Sequence, residues 1–263
     1  MNTFRVFRVF FFRELHAAVL SRLVYVFCGM ALLAGWVPLL GEAGPDRTEI
    51  VVYALLQASL FLIPLFAILT GVGSAQNEQE EEPLLMSQPI GRGVRVLGKF
   101  AALWGLIAVA AGLLVFPAIL SGCRIGALGF LWFHTFAVGG VFAALGLAVG
   151  FSSSDRVKAH MIGLCAWLVL LAGFNLLALA AAHVAEVQRW PQLWLGLLMV
   201  NPLDALRISA MFTLDRIPFD VASAPPLGQW WLGHLSLWFV LLCSAWIAAA
   251  LAWSRARLER LEF

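Results

Sequence analysis

The sequence predicts an all-α integral membrane protein with six transmembrane helices and an additional helix ahead of them. Of its 263 residues, 62% are hydrophobic and 12% are charged, whereas a soluble domain has about 45–50% and about 25%. The mean hydropathy is +0.91, and a soluble domain could not bury that much apolar surface. Residues 1–263 are therefore predicted to form a single transmembrane domain.

Six apolar stretches approach or exceed the roughly 20 residues that a helix needs to cross the hydrocarbon core. The predicted spans are residues 23–40, 50–73, 99–120, 127–150, 159–183 and 230–253. The first is longer than the h-region of about 7–15 residues in a secretory signal, so we expect it to be retained.

Residues 1–21 are predicted to form an interfacial helix before the first span. Phe4, Phe7, Phe11 and Leu15 fall on one helical face, while basic side chains point elsewhere. Such a helix lies along a membrane surface. The alternative is a simple extension of the first span into the cytoplasm.

The distribution of Lys and Arg orients the chain. With six spans, the two termini and the second and fourth loops lie on one side and hold twelve basic residues, and the other side holds five. Both termini are therefore expected in the cytoplasm. No Asp, Glu, Lys or Arg falls in the middle of a predicted span. Since ion-coupled transporters keep such groups there, we expect any driving energy to come from outside the membrane.

Motifs for chemistry within the chain itself are weak. Residues 93–99, GVRVLGK, resemble a phosphate-binding loop, but Phe100 follows where the magnesium ligand Ser or Thr is needed. The four cysteines lie far apart and form no CxxC pair, so neither disulfides nor a zinc site is indicated. We expect no catalytic residues, cofactor, metal or nucleic-acid partner. A haem held by His134 and His234 is a minor alternative.

The segment between spans two and three, residues 74–98, is predicted to be a cytoplasmic coupling loop. Pro83 suits the start of a short helix, and Pro89 disfavours its continuation. The preceding acids complement the helix dipole, and the short helix would present Leu84, Leu85 and Met86 to a partner. A solvated loop is the alternative. The candidate docking residues are Glu78, Glu80, Glu81, Glu82, Pro83, Leu84, Leu85, Met86, Pro89 and Arg92.

Residues 184–229 form the long outer loop of the predicted topology. Pro202 suits a helix start, and Leu203, Leu206, Ala210 and Leu214 share a face of the helix that follows. We expect short helices that cover the outer mouth and contact an external partner. The alternative is that they only pack on the bundle. The candidate partner contacts are Asn201, Pro202, Asp204 and Arg207.

In sequence order, residues 74–99 contain glutamates after span two, a Leu-rich piece, two prolines and then Leu97-Gly98-Lys99, which opens span three. This order resembles the permease subunits of type 2 ABC transporters. The resemblance implies an interfacial helix and six spans in a bacterial inner membrane. It also implies a homodimer, and a coupling helix docked on a separate ABC ATPase subunit.

Within that family, the chain length, the outer loop and residues 201–209 are most similar to the branch that serves nitrous oxide reductase maturation. That branch has a periplasmic partner. The resemblance therefore implies a permease that is not itself an enzyme. The main alternative is an anchor that transports nothing and holds an external partner through residues 184–229.

Overall fold

The computed structural model describes residues 3–41, 47–85, 91–181, 196, 198–213 and 226–260, and no strand occurs within these ranges. The α-helices are α1 (Thr3–Val19), α2 (Arg22–Trp36), α3 (Arg47–Leu85), α4 (Arg92–Leu120), α5 (Ile125–Gly150), α6 (Arg156–Leu168), α7 (Phe174–Ala181), α8 (Pro202–Thr213), α9 (Pro226–Gly233) and α10 (Leu235–Arg260). A 3-10 turn (Val37–Leu40) follows α2, and a π-helical turn (Val169–Gly173) joins α6 to α7.

Six of the described helical stretches are long and apolar enough to cross a membrane, which confirms the all-α integral membrane fold with six candidate spans. Several begin or end some residues away from the predicted boundaries, because a helix can continue beyond the apolar run that hydropathy detects. The six stretches are Arg22–Leu40, Thr48–Gln79, Gly93–Leu120, Ile125–Gly150, Arg156–Gly173 and Leu235–Leu258.

The helices α3 and α5 form the centre of the bundle and pack on each other more extensively than any other described pair. Their backbones approach so closely that a Cβ atom on Gly71 would lie 2.6 Å from the Ala143 carbonyl oxygen. A Cβ on Gly146 would lie 2.4 Å from the Ile68 oxygen. Gly146 and Gly150, which on sequence could serve either internal packing or a dimer contact, therefore pack inside the chain.

The first helix is separate from the first span. α1 ends at Val19, and α2 begins at Arg22 after a break at Leu20 and Ser21. α1 packs against α4, with Phe10 buried at the contact and Val9 and Phe12 exposed. α1 therefore lies beside the bundle and does not simply extend α2.

The start of α4 and the ends of α3, α5 and α10 meet at the same end of the bundle as α1, which we call the α1 end. The described residues 74–85 and 91–98 and the α5–α6 turn also lie there. The opposite end holds α8, which packs on α5 and on the first half of α10.

Candidate functional site

Within the segment 74–98, predicted as a loop, the described residues 74–85 and 92–98 are helical. α3 continues to Leu85, α4 begins at Arg92, and Pro83 falls within the last turn of α3 instead of opening a separate helix. The helix continues because Gln and Glu are good helix formers even where the chain is no longer apolar. We keep the name coupling segment for residues 74–98.

Most of the predicted docking residues fall where the structure gives only the backbone or nothing. Met86 and Pro89 lie outside the described residues. For Glu80, Glu81, Glu82, Pro83, Leu84, Leu85 and Arg92, the helical backbone is described but the side chains are not. A docking role for these residues stays a prediction. Glu78 is the exception, because its side chain is described and buried.

Glu78 belongs to a buried set of charged side chains at the α1 end. Its carboxylate receives the Arg95 guanidinium, with Nε 2.8 Å and Nη2 2.6 Å from Oε1. The Lys99 ammonium lies 3.3 Å from Oε2 of the same carboxylate. Arg95 and Lys99 are four residues apart in α4, so they share one helical face. Both therefore point at the end of α3.

The Lys99 ammonium also connects α4 to α1. Its Nζ donates to Oε2 of Glu14 at 2.6 Å and to the Ser74 backbone oxygen at 3.3 Å. The Ser74 hydroxyl donates to the other Glu14 oxygen, Oε1. Three helices thus meet through one lysine. We call Glu14, Ser74, Glu78, Arg95 and Lys99 the ion cluster.

The ion cluster is closed to solvent and balanced in charge. All five residues are buried, and Glu78 and Lys99 are only 1% and 2% exposed. The two carboxylates face the two cations, so the formal charges cancel. A buried charge is tolerated when it is paired and hydrogen-bonded, and removing one partner is strongly destabilising. The geometry therefore holds α1, α3 and α4 together.

The tripeptide Leu97-Gly98-Lys99 explains how α1 approaches this closely. A Cβ on Gly98 would lie 3.0 Å from the Phe10 Cβ, so glycine lets the α1 backbone come near α4. Leu97 points away and is 50% exposed, while Lys99 enters the ion cluster. Residues 93–99 are helical throughout, and the Lys99 ammonium is paired with carboxylates. This stretch therefore does not form a phosphate-binding loop.

The opposite face of the same α3 turn is bonded to α5. The Gln76 amide donates to the oxygens of Gly150 and Ser153, at 2.7 Å each. The Gln79 amide donates to the Gly150 oxygen at 3.1 Å. Carbonyls at a helix end lack partners within the helix, so the glutamines satisfy the end of α5. Residues 74–79 thereby connect α1, α4 and α5.

Sequence reasoning missed the ion cluster because its members are far apart in the chain. Lys99 was considered only within the phosphate-loop pattern and the family motif Leu97-Gly98-Lys99, and no role was assigned to Glu14. Two signals were present. Glu14 is the sole acid in the first 41 residues, and Arg95 and Lys99 have i,i+4 spacing at the start of an apolar span.

At the opposite end, three predicted partner contacts lie inside the chain. Asn201, Pro202 and Asp204 are buried within this chain, and their contact with an external partner stays a prediction. The Asn201 amide donates to Oδ2 of Asp204 at 2.6 Å and to the Leu170 oxygen, in the π-helical turn, at 2.8 Å. The Asn201 side-chain oxygen also accepts from the Leu203 backbone at 3.2 Å, at the start of α8.

Asp204 and Arg207 complete this cap. Arg207 Nη1 lies 3.5 Å from Oδ1 of Asp204. Burial raises the pKa of the Asp204 carboxyl, while Arg207 and the Asn201 hydrogen bond oppose the increase. The Arg207 side chain is 26% exposed. Arg207 is therefore the most accessible of the four predicted partner contacts, and its contact with a partner also stays a prediction.

Each of the two histidines considered for a haem, His134 and His234, has its Nδ1 close to a carbonyl oxygen four residues earlier. His134 lies between the rings of Phe130 and Phe239, at centroid distances of 3.8 and 4.5 Å, and its Nδ1 lies 2.8 Å from the Phe130 oxygen. His234 Nδ1 makes the corresponding contact with the Trp230 oxygen. Among the described residues, no group of three or more His, Cys, Asp or Glu side chains could hold a metal ion.

Comparison with known proteins agrees with the resemblance noted from the coupling segment. The model of the ABC-2 family transporter protein matches residues 46–262. The probable ABC transporter permease protein NosY of Pseudomonas aeruginosa is 29% identical over 237 residues, which cover 84% of this chain and 83% of that protein. The protein of the same name from Stutzerimonas stutzeri is 27% identical over 238 residues, with the same coverage.

These matches confirm the predicted family and its NosY-like character. Membership implies, in general terms, dimerisation and an ABC ATPase partner, since a permease subunit of this kind is not itself the ATPase. The multi-pass architecture with six candidate spans agrees with the family assignment. The chain belongs to the ABC-2 family of transporter proteins, as a NosY-like permease subunit.

Proposed function

We propose that the chain forms a homodimer that couples ATP hydrolysis by a separate cytoplasmic ATPase subunit to movement of its own membrane spans. The movement would serve export or signalling across the membrane. The ion cluster is the observation that carries this proposal. Glu78 on α3, and Arg95 and Lys99 on α4, lie on either side of the tip of the coupling segment (80–92). A subunit bound to this tip is thereby connected to α1, α3 and α4.

Force applied at the tip would move α1, α3 and α4 as one body. Separating Lys99 from Glu14, or Arg95 from Glu78, would leave buried charges without partners, at a cost of about 3–5 kcal/mol. Rigid-body displacement of helices avoids that cost and is a common way of transmitting conformational change. The tip needs no chemistry of its own, because it transmits only displacement.

The displacement would reach the centre of the membrane through α3 and α5. Gln76 and Gln79 hold the end of α5 against the same turn of α3. Farther along, Gly71 and Gly146 bring the two backbones into contact. Tightly packed interfaces tend to switch between discrete arrangements instead of deforming gradually. The α3–α5 pair is thus suited to carry movement toward α8.

The orientation follows from the basic residues. The α1 end is proposed to face the cytoplasm of a bacterium, with the chain in the inner membrane, because twelve of the seventeen Lys and Arg residues fall on that side. An ATPase bound to the coupling segment would then have access to cytoplasmic ATP. The absence of charged residues from the middle of the predicted spans supports an external source of energy.

The similarity to two NosY permeases supports a more specific role. We propose that the chain serves nitrous oxide reductase maturation, a copper-site process, together with a periplasmic partner on the outer face. Arg207 is the candidate contact for that partner among the described outer residues, since its side chain is partly exposed.

Co-purification with a co-expressed candidate ABC ATPase subunit tests the proposal. Deleting residues 83–89 is expected to abolish the association, because it removes the tip while leaving the ion cluster in place. A matched deletion of seven residues in the outer loop, 184–190, is the control and should leave the complex intact. An ATPase that stays bound after the first deletion would contradict the docking proposal.

A further inference from the structure

A lipid-facing groove lies at the α1 end, between α6 and α10, with α5 as its floor. Its volume is about 420 Å³. Ala148 of α5 and Ala249 of α10 line the groove, together with Ile162 of α6. The groove exists because small side chains occupy positions where larger ones would fill the space between the helices. Its lining is almost entirely apolar, which suits a hydrocarbon chain.

The mouth of the groove is polar and basic. Arg257 lines it, with its guanidinium carbon 5.1 Å from the centroid of the Trp253 ring, an arrangement that positions the cation over the aromatic face. The Trp253 indole donates to the Ser152 hydroxyl at 3.0 Å. Tryptophan and arginine are the residues that commonly occupy the boundary between hydrocarbon and headgroups.

The depth of these groups matches a phospholipid. Arg257 lies one residue before the end of the membrane-crossing stretch Leu235–Leu258, and Arg156 begins the stretch Arg156–Gly173 on the other wall. Both therefore lie at headgroup level. Asp155, next to Arg156, accepts from the backbone of Val157 and Lys158 at the start of α6. Among the described side chains that line the groove, Arg257 carries the one formal charge, and the interior is apolar.

We propose that this groove binds an anionic phospholipid, with one acyl chain between α6 and α10 and the phosphate at Arg257. Basic pockets between transmembrane helices on the cytoplasmic side recognise anionic headgroups. The proposal uses the orientation given under Proposed function, in which the α1 end meets the cytoplasmic leaflet. A bound lipid would touch α5, α6 and α10 together, so it could affect how these helices move relative to one another.

Native mass spectrometry of the full chain, released from nanodiscs of equimolar phosphatidylglycerol and phosphatidylcholine, tests the site. The wild type is expected to retain phosphatidylglycerol in preference to phosphatidylcholine. Arg257→Gln should reduce that preference about fivefold, the usual contribution of one basic residue. Ala249→Leu fills the groove from an exposed position and should reduce retention of both lipids.

Two control variants on the same helix distinguish the groove from general effects. Arg255→Gln makes the same charge change, and Ala248→Leu adds the same side chain; both positions are exposed and neither lines the groove. Each should retain lipid as the wild type does. An equal loss with Arg255→Gln would overturn the proposal in favour of diffuse surface charge.

If Ala249→Leu instead converts a dimer to a monomer, the groove holds a second copy and the lipid proposal is wrong. Because lipid retention is read without the ATPase subunit, failure here leaves the docking proposal untouched. Conversely, failure of the ATPase subunit to co-purify would not account for a loss of lipid preference, so the two proposals are tested separately.

Discussion

At the scale of single residues, Lys99 connects three helices at the α1 end. Its ammonium contacts carboxylates on α1 and α3 and a backbone oxygen on α3. Because it is 2% exposed, water cannot replace a lost partner. The stability of the α1 end therefore depends on the charge balance of the ion cluster. Because its bonds form one network, losing one ion pair is expected to cost more free energy than its own hydrogen bonds suggest.

Neutralising one charged member of the ion cluster should lower the free energy of unfolding more than neutralising an oppositely charged pair. Lys99→Met leaves Glu14 buried without its cation and is expected to lower the free energy of unfolding by about 3–5 kcal/mol. Adding Glu14→Gln restores the charge balance, since Glu78 and Arg95 still pair, and should recover most of that loss. Denaturant unfolding of the purified chain measures both, and simple additivity of the two changes would contradict this account.

The individual pairings in the ion cluster could not be predicted from the sequence. Glu14 and Lys99 are 85 positions apart, and no local pattern specifies that α1 returns to the start of α4. Glu78 was predicted as a site residue because it follows an apolar span, and the structure places it in the interior. Asn201 and Asp204, predicted as partner contacts, are likewise buried. Polar residues in an apolar sequence indicate specific roles, but the sequence does not identify the neighbours that pair with their charges and hydrogen-bonding groups.

At the scale of helices, α3 is the element on which the others depend. It runs for 39 residues from Arg47 to Leu85, longer than the roughly 20 needed to cross the hydrocarbon core. Its apolar part packs on α5, and its polar extension carries Ser74, Gln76 and Glu78. Hydropathy predicts only the apolar part of α3, because it detects the boundary of the hydrocarbon core and not the end of helical hydrogen bonding.

Two glycines in α3 provide a matched test of the α3–α5 contact. Gly71→Ala places a methyl group 2.6 Å from the Ala143 oxygen and is expected to destabilise the chain by about 1–3 kcal/mol. Gly73→Ala meets nothing within 4 Å and should be neutral or slightly stabilising, since alanine favours helix. Thermal unfolding of the purified variants gives the comparison. Equal effects at both positions would show that the close contact is not required.

At the scale of the whole molecule, composition and spacing were sufficient for the main features. Apolar length predicted the all-α fold with six candidate spans, and the arrangement of residues 74–98 pointed to the family that the comparison confirms. Helix ends were less predictable, because capping and side-chain bonds decide them. The break before α10 at His234 and the π-helical turn at Val169–Gly173 have no clear signature in hydropathy.

The central claim is that the ion cluster transmits movement from the ATPase subunit to the bundle. Spin labels at two exposed positions, Val9 on α1 and Val157 on α6, report their separation by pulsed electron paramagnetic resonance after the four native cysteines are replaced. The complex is measured with the ATPase subunit, without nucleotide and with a trapped ATP analogue. The Glu14→Gln, Lys99→Met double variant is the comparison, because it is neutral but lacks the bond between α1 and α4.

The wild-type complex is expected to show a change in the Val9–Val157 distance when the nucleotide is trapped. The double variant should bind the ATPase subunit equally well and lose that change. An identical distance change in both proteins would contradict the account, since movement would then reach α1 without the ion cluster.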